Sequence, residues 1–171
     1  MNIKTVSLSV IFALGFTTTL SFVNAAGHTK KVQPNPEGIE LPEKYKDWKV
    51  ISASHRTDNK SMRIILGNDI AIKASRAKQT NPWPDGTILG KLVWKQTAED
   101  NWPTAIAPKE FIHAEFMMKD AEKYKANGTG WGWARWLGKE QKPYPESQSC
   151  IACHTPVKGR DWVFTTPVDL P

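Results

Sequence analysis

The sequence predicts an α+β fold with a mainly antiparallel β-sheet and short flanking helices. Apolar segments of strand length, such as residues 62–66, are followed at short intervals by Gly, Asn and Asp turn residues. Several such strands with short helices between them favour an antiparallel sheet. A four-helix bundle would need long segments with a 3.6-residue apolar period, and the sequence has none.

Six strands and two short helices account for most of the chain. The strands are expected at residues 48–54, 62–66, 87–95, 111–118, 131–136 and 161–165. One helix should begin at Asn68 or Asp69, either of which could cap it, and end near residue 78. A second helix is expected at residues 120–124. Two prolines and an Asp-Gly pair exclude regular structure from residues 81–86.

Tryptophan is frequent in this chain, with eight residues. Trp131 and Trp133 alternate as residues on one face of a strand would. Trp136 falls out of this alternation, so the strand is expected to bend or end there. Large flat side chains suit the pocket of a flat ligand as well as an ordinary core, and the core is the better interpretation of any one of them.

Residues 1–25 have the layout of a cleaved secretory signal peptide. Lys4 precedes an uncharged, mostly apolar stretch over residues 6–23, and Val23-Asn24-Ala25 resembles a cleavage signal. The alternative is an uncleaved membrane anchor, because about 18 apolar residues nearly span a bilayer. Hydroxyl residues at 17–19 favour cleavage. We therefore expect an exported protein, with the periplasm as its location.

The rest of the chain suits one domain with one core, because about 145 residues remain after cleavage. Prolines and glycines over residues 26–45 predict an extended or loose arm, followed by one domain at 46–171. The net charge is +6, or +5 without Lys4, and the basic residues are dispersed. Nucleic-acid binding would need a concentrated basic stripe, and the sequence has none, so we do not expect it. No later segment is apolar enough to anchor the mature protein in a membrane.

Near the C-terminus lies the pentapeptide Cys150-Ile151-Ala152-Cys153-His154. A C-x-x-C-H sequence is typical of c-type haem attachment, with two thioethers from the cysteines and the histidine as axial iron ligand. The alternatives are a redox dithiol, half a zinc site and a local disulfide. Zinc would need further ligands and the chain has no other cysteine. A redox dithiol should lie beside a βαβ pattern, which is absent.

Together with this motif, three further segments resemble the cytochrome P-460 family, which includes the beta form of cytochrome c-prime. They are residues 62–66, residues 83–92 (Trp-Pro-Asp-Gly-Thr-Ile-Leu-Gly-Lys-Leu) and residues 130–133 (Gly-Trp-Gly-Trp). The resemblance extends from about Lys46 to Pro171. It implies a mainly antiparallel sheet with flanking helices, one c-type haem and, in many members, a homodimer.

In P-460 members a lysine is also cross-linked to the porphyrin, and the resemblance places that lysine at Lys91. From the residues alone, Lys91 lies in the apolar run 88–94, where a lysine needs solvent or a partner for its ammonium group. The alternative is an ordinary strand lysine that faces outward. The resemblance favours a lysine beside a P-460-type haem.

A carboxylate on the distal side of the haem is the second feature that the resemblance implies. Glu115 is the candidate, because its apolar neighbours would desolvate it and raise its pKa toward values useful for a general base. The alternative is a solvated glutamate on a strand face. Residues 133–135 are a rival location that offers no carboxylate. Arg63 could pair with a haem propionate or stabilise anionic intermediates.

The sixth iron position is expected to be open. His28, His55 and His113 are candidate ligands, as are the methionines at 62, 117 and 118. Electron carriers commonly close this position with His or Met. The resemblance instead implies a free position at which a small nitrogen compound binds, with His154 as the one protein ligand to the metal.

The C-x-x-C-H motif and the family resemblance together imply a mono-haem c-type cytochrome that oxidises hydroxylamine or processes nitric oxide. Glu115 and Arg63 would be its catalytic residues, and a soluble redox partner would accept the electrons. A second hypothesis is a protein of the c-prime-beta type that binds nitric oxide or carbon monoxide without turnover. A third is a plain electron carrier with six-coordinate iron.

Overall fold

A single six-stranded sheet forms the centre of the structure, a computed structural model that describes residues 31–145 and 147–169. Each strand pairs antiparallel with the next one along the chain. The strands are β1 (Lys49–Arg56), β2 (Ser61–Gly67), β3 (Ile88–Glu99), β4 (Trp102–Lys119), β5 (Trp131–Leu137) and β6 (Lys142–Pro143). The predicted antiparallel sheet is confirmed. The predicted signal peptide lies outside the described residues.

Two short α-helices accompany the sheet, α1 (Asp69–Arg76) and α2 (Gln148–His154). Three 3-10 turns lie at Tyr45–Asp47, Lys125–Asn127 and Thr155–Arg160. The short helices confirm the predicted α+β class. None of the helices in residues 31–145 and 147–169 has the length and apolar character needed to cross a membrane.

Asn68 starts α1, as one of the two predicted caps. Its side-chain Oδ1 accepts hydrogen bonds from the backbone N–H of Ala71 at 3.0 Å and of Ile88 at 3.1 Å. The cap therefore satisfies an otherwise unpaired N–H of the first turn and also ties the helix to the start of β3.

Two predicted elements are wrong. Residues 120–124 form turns that lead into the 3-10 turn Lys125–Asn127 instead of a helix, and Gly128, with a φ of +74°, ends the segment. Residues 161–165 are not a strand. Asp161 and Trp162 have φ values of +49° and +65°, a left-handed backbone that a strand cannot contain.

The predicted bend or end of the strand at Trp136 is also wrong, because β5 continues in register through Leu137. Trp131 and Trp133 point to one face of the sheet and Trp136 points to the other. All three are at most 2% exposed. Apolar residues out of alternation therefore mark a strand that is buried on both faces.

The two faces of the sheet have separate cores. One, which we call the site face, packs Ile65, Leu89, Trp131 and Trp133 against α1 and α2. The other, the arm face, carries the side chains of five further strand residues. These are Leu66, Ala114, Phe116, Ala134 and Trp136.

The described part of the N-terminal arm, residues 31–45, is extended and also well packed. Ile39 and Tyr45 are buried on the arm face. The Asn35 amide donates to the carbonyl of Trp133 at 3.2 Å, and its oxygen accepts from the N–H of Ile39 at 2.8 Å. The arm is therefore a cover for the sheet and not a loose segment.

Candidate functional site

The two motif cysteines lie on α2, which packs against the site face. Their i, i+3 spacing places Cys150 and Cys153 on the same side of the helix. Both thiols are free; Cys150 is half-buried in contact with the core of the site face, and Cys153 is exposed. Burial raises the pKa of the Cys150 thiol. The arrangement leaves both sulfur atoms available for covalent attachment of a group beside the helix.

The last residue of α2, His154, is held in one orientation. Its Nδ1 lies 2.6 Å from the carbonyl oxygen of Trp162, which can only accept, so Nδ1 carries the proton. The ring packs edge-on between Trp133 and Phe164, with centroid distances of 4.8 and 4.9 Å. Burial lowers the pKa of His154 and favours its neutral form. Nε2 therefore presents its lone pair, as a metal-ligating histidine requires.

A charged cluster occupies the same face, centred on Glu115. Lys91 on β3, Glu115 on β4 and Arg135 on β5 lie directly opposite one another in the sheet register. Glu115 forms an ion pair with Lys91 and a second one with Arg135 at 2.7 Å. His113 Nε2 lies 3.3 Å from the same carboxylate. We call Lys91, His113, Glu115 and Arg135 the Glu115 cluster.

The ionisation of this cluster differs from expectation. Burial raises the pKa of Glu115, as predicted, but the charges of Lys91 and Arg135 outweigh it, and the pKa is lower than usual. Burial also lowers the pKa of His113 to about 4. At neutral pH the cluster therefore holds an ionised carboxylate and a neutral imidazole. The predicted rise of the Glu115 pKa is wrong because the sequence did not show two cations in contact with the carboxylate.

Arg63 lies on β2, on the same face of the sheet as the Glu115 cluster. It pairs with Val93 of β3, which in turn pairs with His113 of β4. Among the described residues, no hydrogen-bond partner reaches its buried Nε, and the same holds for Nε of Arg135. Buried donors without a partner, on two arginines of one sheet face, fit an anionic group such as haem, with its two propionates.

The Glu115 cluster and α2 belong to one site. Cys150 and Ile151 of α2 pack on the core of the site face, and the His154 ring lies 4.8 Å from that of Trp133. Trp133 lies two residues before Arg135 of the Glu115 cluster, on the same face of β5. The structure thus brings the six residues singled out from the sequence to one face of the sheet.

The other candidate iron ligands are dispersed. His55 lies exposed on β1 beside Gln96. Met117 packs on the site face and Met118 on the arm face. His113 lies in the Glu115 cluster, and His28 lies outside the described residues.

Several residues that build this site were missed in the sequence. The carbonyl of Trp162 has no sequence signature, because any residue supplies a backbone oxygen. Phe164 was assigned to a strand and instead contacts His154. Arg135 was recognised only as part of a region without a carboxylate, although it pairs with Glu115 and stacks over the ring of Tyr144 at 4.8 Å. The strand register, which the sequence does not give, is what joins these residues.

Comparison with known proteins agrees with this site. No match was found among the curated proteins. The family model described as Cytochrome P460 matches residues 42–165, well over half of the chain, and includes all the site residues named above. That family implies a c-type haem, which the donors on α2 and the site face fit. The chain belongs to the cytochrome P460 family.

Proposed function

We propose that this protein is an exported c-type cytochrome that oxidises hydroxylamine and passes the electrons to an external acceptor. The observation that carries the proposal is the largely buried, ionised Glu115 on the same sheet face as the C-x-x-C-H helix. Bound haem c would supply a redox-active iron with a position for a small nitrogen compound.

Cys150 and Cys153 would hold the haem through thioethers, and His154 Nε2 would ligate its iron. This assignment is supported by the geometry of His154, whose Nδ1–H is already committed to the Trp162 carbonyl. Arg63 and Arg135 would bind the propionates or another anion, since the buried Nε of each has no partner among the residues that the structure describes.

Glu115 would accept protons from hydroxylamine, because oxidation of this substrate releases protons together with electrons. A carboxylate that is ionised at neutral pH can take a proton, although the two cations that lower its pKa weaken it as a base. Arg135 and His113 would hold the carboxylate in place through contacts at 2.7 and 3.3 Å. Nitrous oxide, nitric oxide and nitrite are all possible products of such chemistry.

Lys91 would be the residue cross-linked to the porphyrin. Its ammonium group now pairs with Glu115, and it is one of the two cations that lower the Glu115 pKa. An amine joined to a porphyrin carbon is no longer an ammonium ion. The cross-link would therefore remove one of these cations and strengthen Glu115 as a base.

The proposal is tested by two measurements on the purified holoprotein. We expect the dithionite-reduced protein to have a Soret band far to the red of ordinary ferrous haem c, and Lys91→Arg to return it to the ordinary position. We also expect hydroxylamine to reduce a dye acceptor in the presence of the wild-type protein. An ordinary spectrum together with no turnover would overturn the proposal.

A second candidate function is capture of nitric oxide or carbon monoxide without turnover. The lowered pKa of Glu115 favours it, because a carboxylate held by two cations is a weak base. It predicts binding of both gases by ferrous protein and no hydroxylamine-dependent dye reduction. A plain electron carrier would be six-coordinate and would bind neither gas.

Export, the periplasmic location, a soluble redox partner and a homodimer are further parts of the proposal. The layout of residues 1–25 supports export, since c-type haems are attached outside the bacterial cytoplasmic membrane. Intact mass and N-terminal sequencing of the mature protein should show a chain that begins at Ala26. A chain that retains Met1 would contradict the cleavage.

A further inference from the structure

The segment that follows α2 has an unusual backbone. After the 3-10 turn Thr155–Arg160, Asp161 and Trp162 both adopt positive φ, +49° and +65°. A bulky residue such as tryptophan rarely adopts this strained conformation, which persists only where surrounding contacts impose it. Contacts around Asp161 must therefore hold the segment.

Those contacts converge on the Asp161 carboxylate. Its Oδ1 accepts from Lys119 Nζ at 2.6 Å, in an ion pair whose two side chains are each 9% exposed. Its Oδ2 accepts from the backbone N–H of Trp83 at 2.8 Å. The Trp131 indole N–H lies 3.0 Å from the Asp161 carbonyl and 3.3 Å from Oδ1. One carboxylate thus ties the segment to the ends of β4 and β5 and to the loop before β3.

The residue held next to Asp161 is Trp162, whose carbonyl accepts the proton of His154 Nδ1 at 2.6 Å. Phe164, two residues further, packs against the same imidazole ring. No group in the Glu115 cluster takes part in this arrangement. Asp161 therefore acts on His154 through the backbone of Trp162.

We propose that the buried Lys119–Asp161 ion pair is a positioning device for the axial histidine and sets how strongly His154 donates to the iron. The inference rests on the proposed haem attachment, though not on the identity of the substrate. A carbonyl that accepts from Nδ1 makes the imidazole a stronger donor and stabilises ferric iron. Loss of either partner leaves a buried charge unpaired, so the segment must rearrange.

The experiment uses holoprotein with covalently attached haem, verified first by its pyridine haemochrome spectrum. Asp161→Asn and Lys119→Met should raise the reduction potential and lower the iron–histidine stretching frequency of the ferrous protein. Asp161→Asn should give the smaller shifts, because an amide oxygen still accepts from Trp83. Lys119→Arg keeps the cation and should leave the reduction potential and the stretching frequency at their wild-type values.

Ile39→Ala, on the arm face, is the control for general loss of stability. It should lower the melting temperature without changing the potential or the stretching frequency. Unchanged potential and stretch in Asp161→Asn and Lys119→Met, with stability lowered as in Ile39→Ala, would overturn the inference and leave the proposed function standing. Absence of covalent haem in the wild-type protein would overturn both.

Discussion

The two faces of the sheet have different surroundings, one charged and one aromatic, and the neighbouring residues Glu115 and Phe116 show this difference most directly. Glu115 points to the site face, where two cations and a histidine surround it. Phe116 points to the arm face, where its ring packs edge-on against Tyr45, Trp48 and Trp136. The side-chain period of two along a strand separates them.

The arm face is completed by the chain itself. Residues 31–45 cover it, and Gly90 makes room for the Phe116 ring, because a Cβ at that position would lie 2.8 Å from a ring carbon. The site face is not completed in this way, because the buried Nε atoms of Arg63 and Arg135 have no hydrogen-bond partner within the described part of the chain. We infer that the arm face contributes mainly to stability and that the site face binds the proposed haem.

The largest effect should come from removing the attachment point on the site face. We expect Cys150→Ala to lose nearly all covalently bound haem, because one thioether partner is gone and this thiol is the half-buried one. Haem staining of a denaturing gel and intact mass measure the loss. Ser149→Ala, on the same helix, is the control and should keep its haem. Full haem content in Cys150→Ala would contradict the assignment of the motif.

Next in size is the removal of the aromatic centre of the arm face. Phe116→Ala should lower the free energy of unfolding by about 3–5 kcal/mol, because the chain cannot collapse fully into the space left by a buried ring. Chemical denaturation measures it. Turnover per haem should stay close to wild type in the protein that remains folded. A large loss of turnover per haem would show that packing on the arm face also determines the chemistry of the site face.

Much of this fold was predictable, because its signals are local. Turn residues mark the ends of β2 and α1, and the C-x-x-C-H spacing identifies its own chemistry. The long β3–β4 hairpin was predicted only in part, since residues 96–110 carry little apolar alternation and are held by main-chain pairing. Trp136 misled the prediction because alternation assumes that one face is exposed.

The arrangement of the site was less predictable. Lys91, Glu115 and Arg135 are distant in sequence and meet only through strand register, which local patterns do not determine. The direction of the Glu115 pKa was therefore missed, although its burial was predicted. The support of His154 comes from a backbone carbonyl and from a left-handed turn at non-glycine residues, and neither has a sequence signal.

A smaller effect should separate charge from packing on the site face. Glu115→Gln keeps the shape of the side chain but cannot accept the proton, so we expect turnover of hydroxylamine to fall on the order of 100-fold. Dye reduction at saturating hydroxylamine measures it. Glu110→Gln, an exposed carboxylate on the same strand, is the matched control and should leave turnover unchanged. Wild-type turnover in Glu115→Gln would remove this residue from the mechanism.

The smallest effect that we expect is a pH dependence of stability due to His113. Its pKa is about 4 in the folded protein, against an ordinary value of 6.5, because burial opposes the charged form. Between about pH 6.5 and about pH 4 the unfolded chain binds a proton that the folded chain does not. The free energy of unfolding should therefore fall as the pH falls through this window, on the order of 2 kcal/mol.

Glu115 contributes only in the lower part of this window, because its lowered pKa affects stability as the pH approaches and falls below the ordinary value of 4.5. The slope due to His113 is therefore read between about pH 6.5 and about pH 5.5. Urea denaturation across the range should show a slope in the wild-type protein that His113→Gln flattens. His55→Gln, on the exposed part of β1, should keep the slope. Equal slopes in His113→Gln and the wild type would mean that this imidazole exchanges protons freely with solvent. The site face would then be as open as a surface, and its contrast with the arm face would rest on the Nε atoms of Arg63 and Arg135, which have no partner among the described residues.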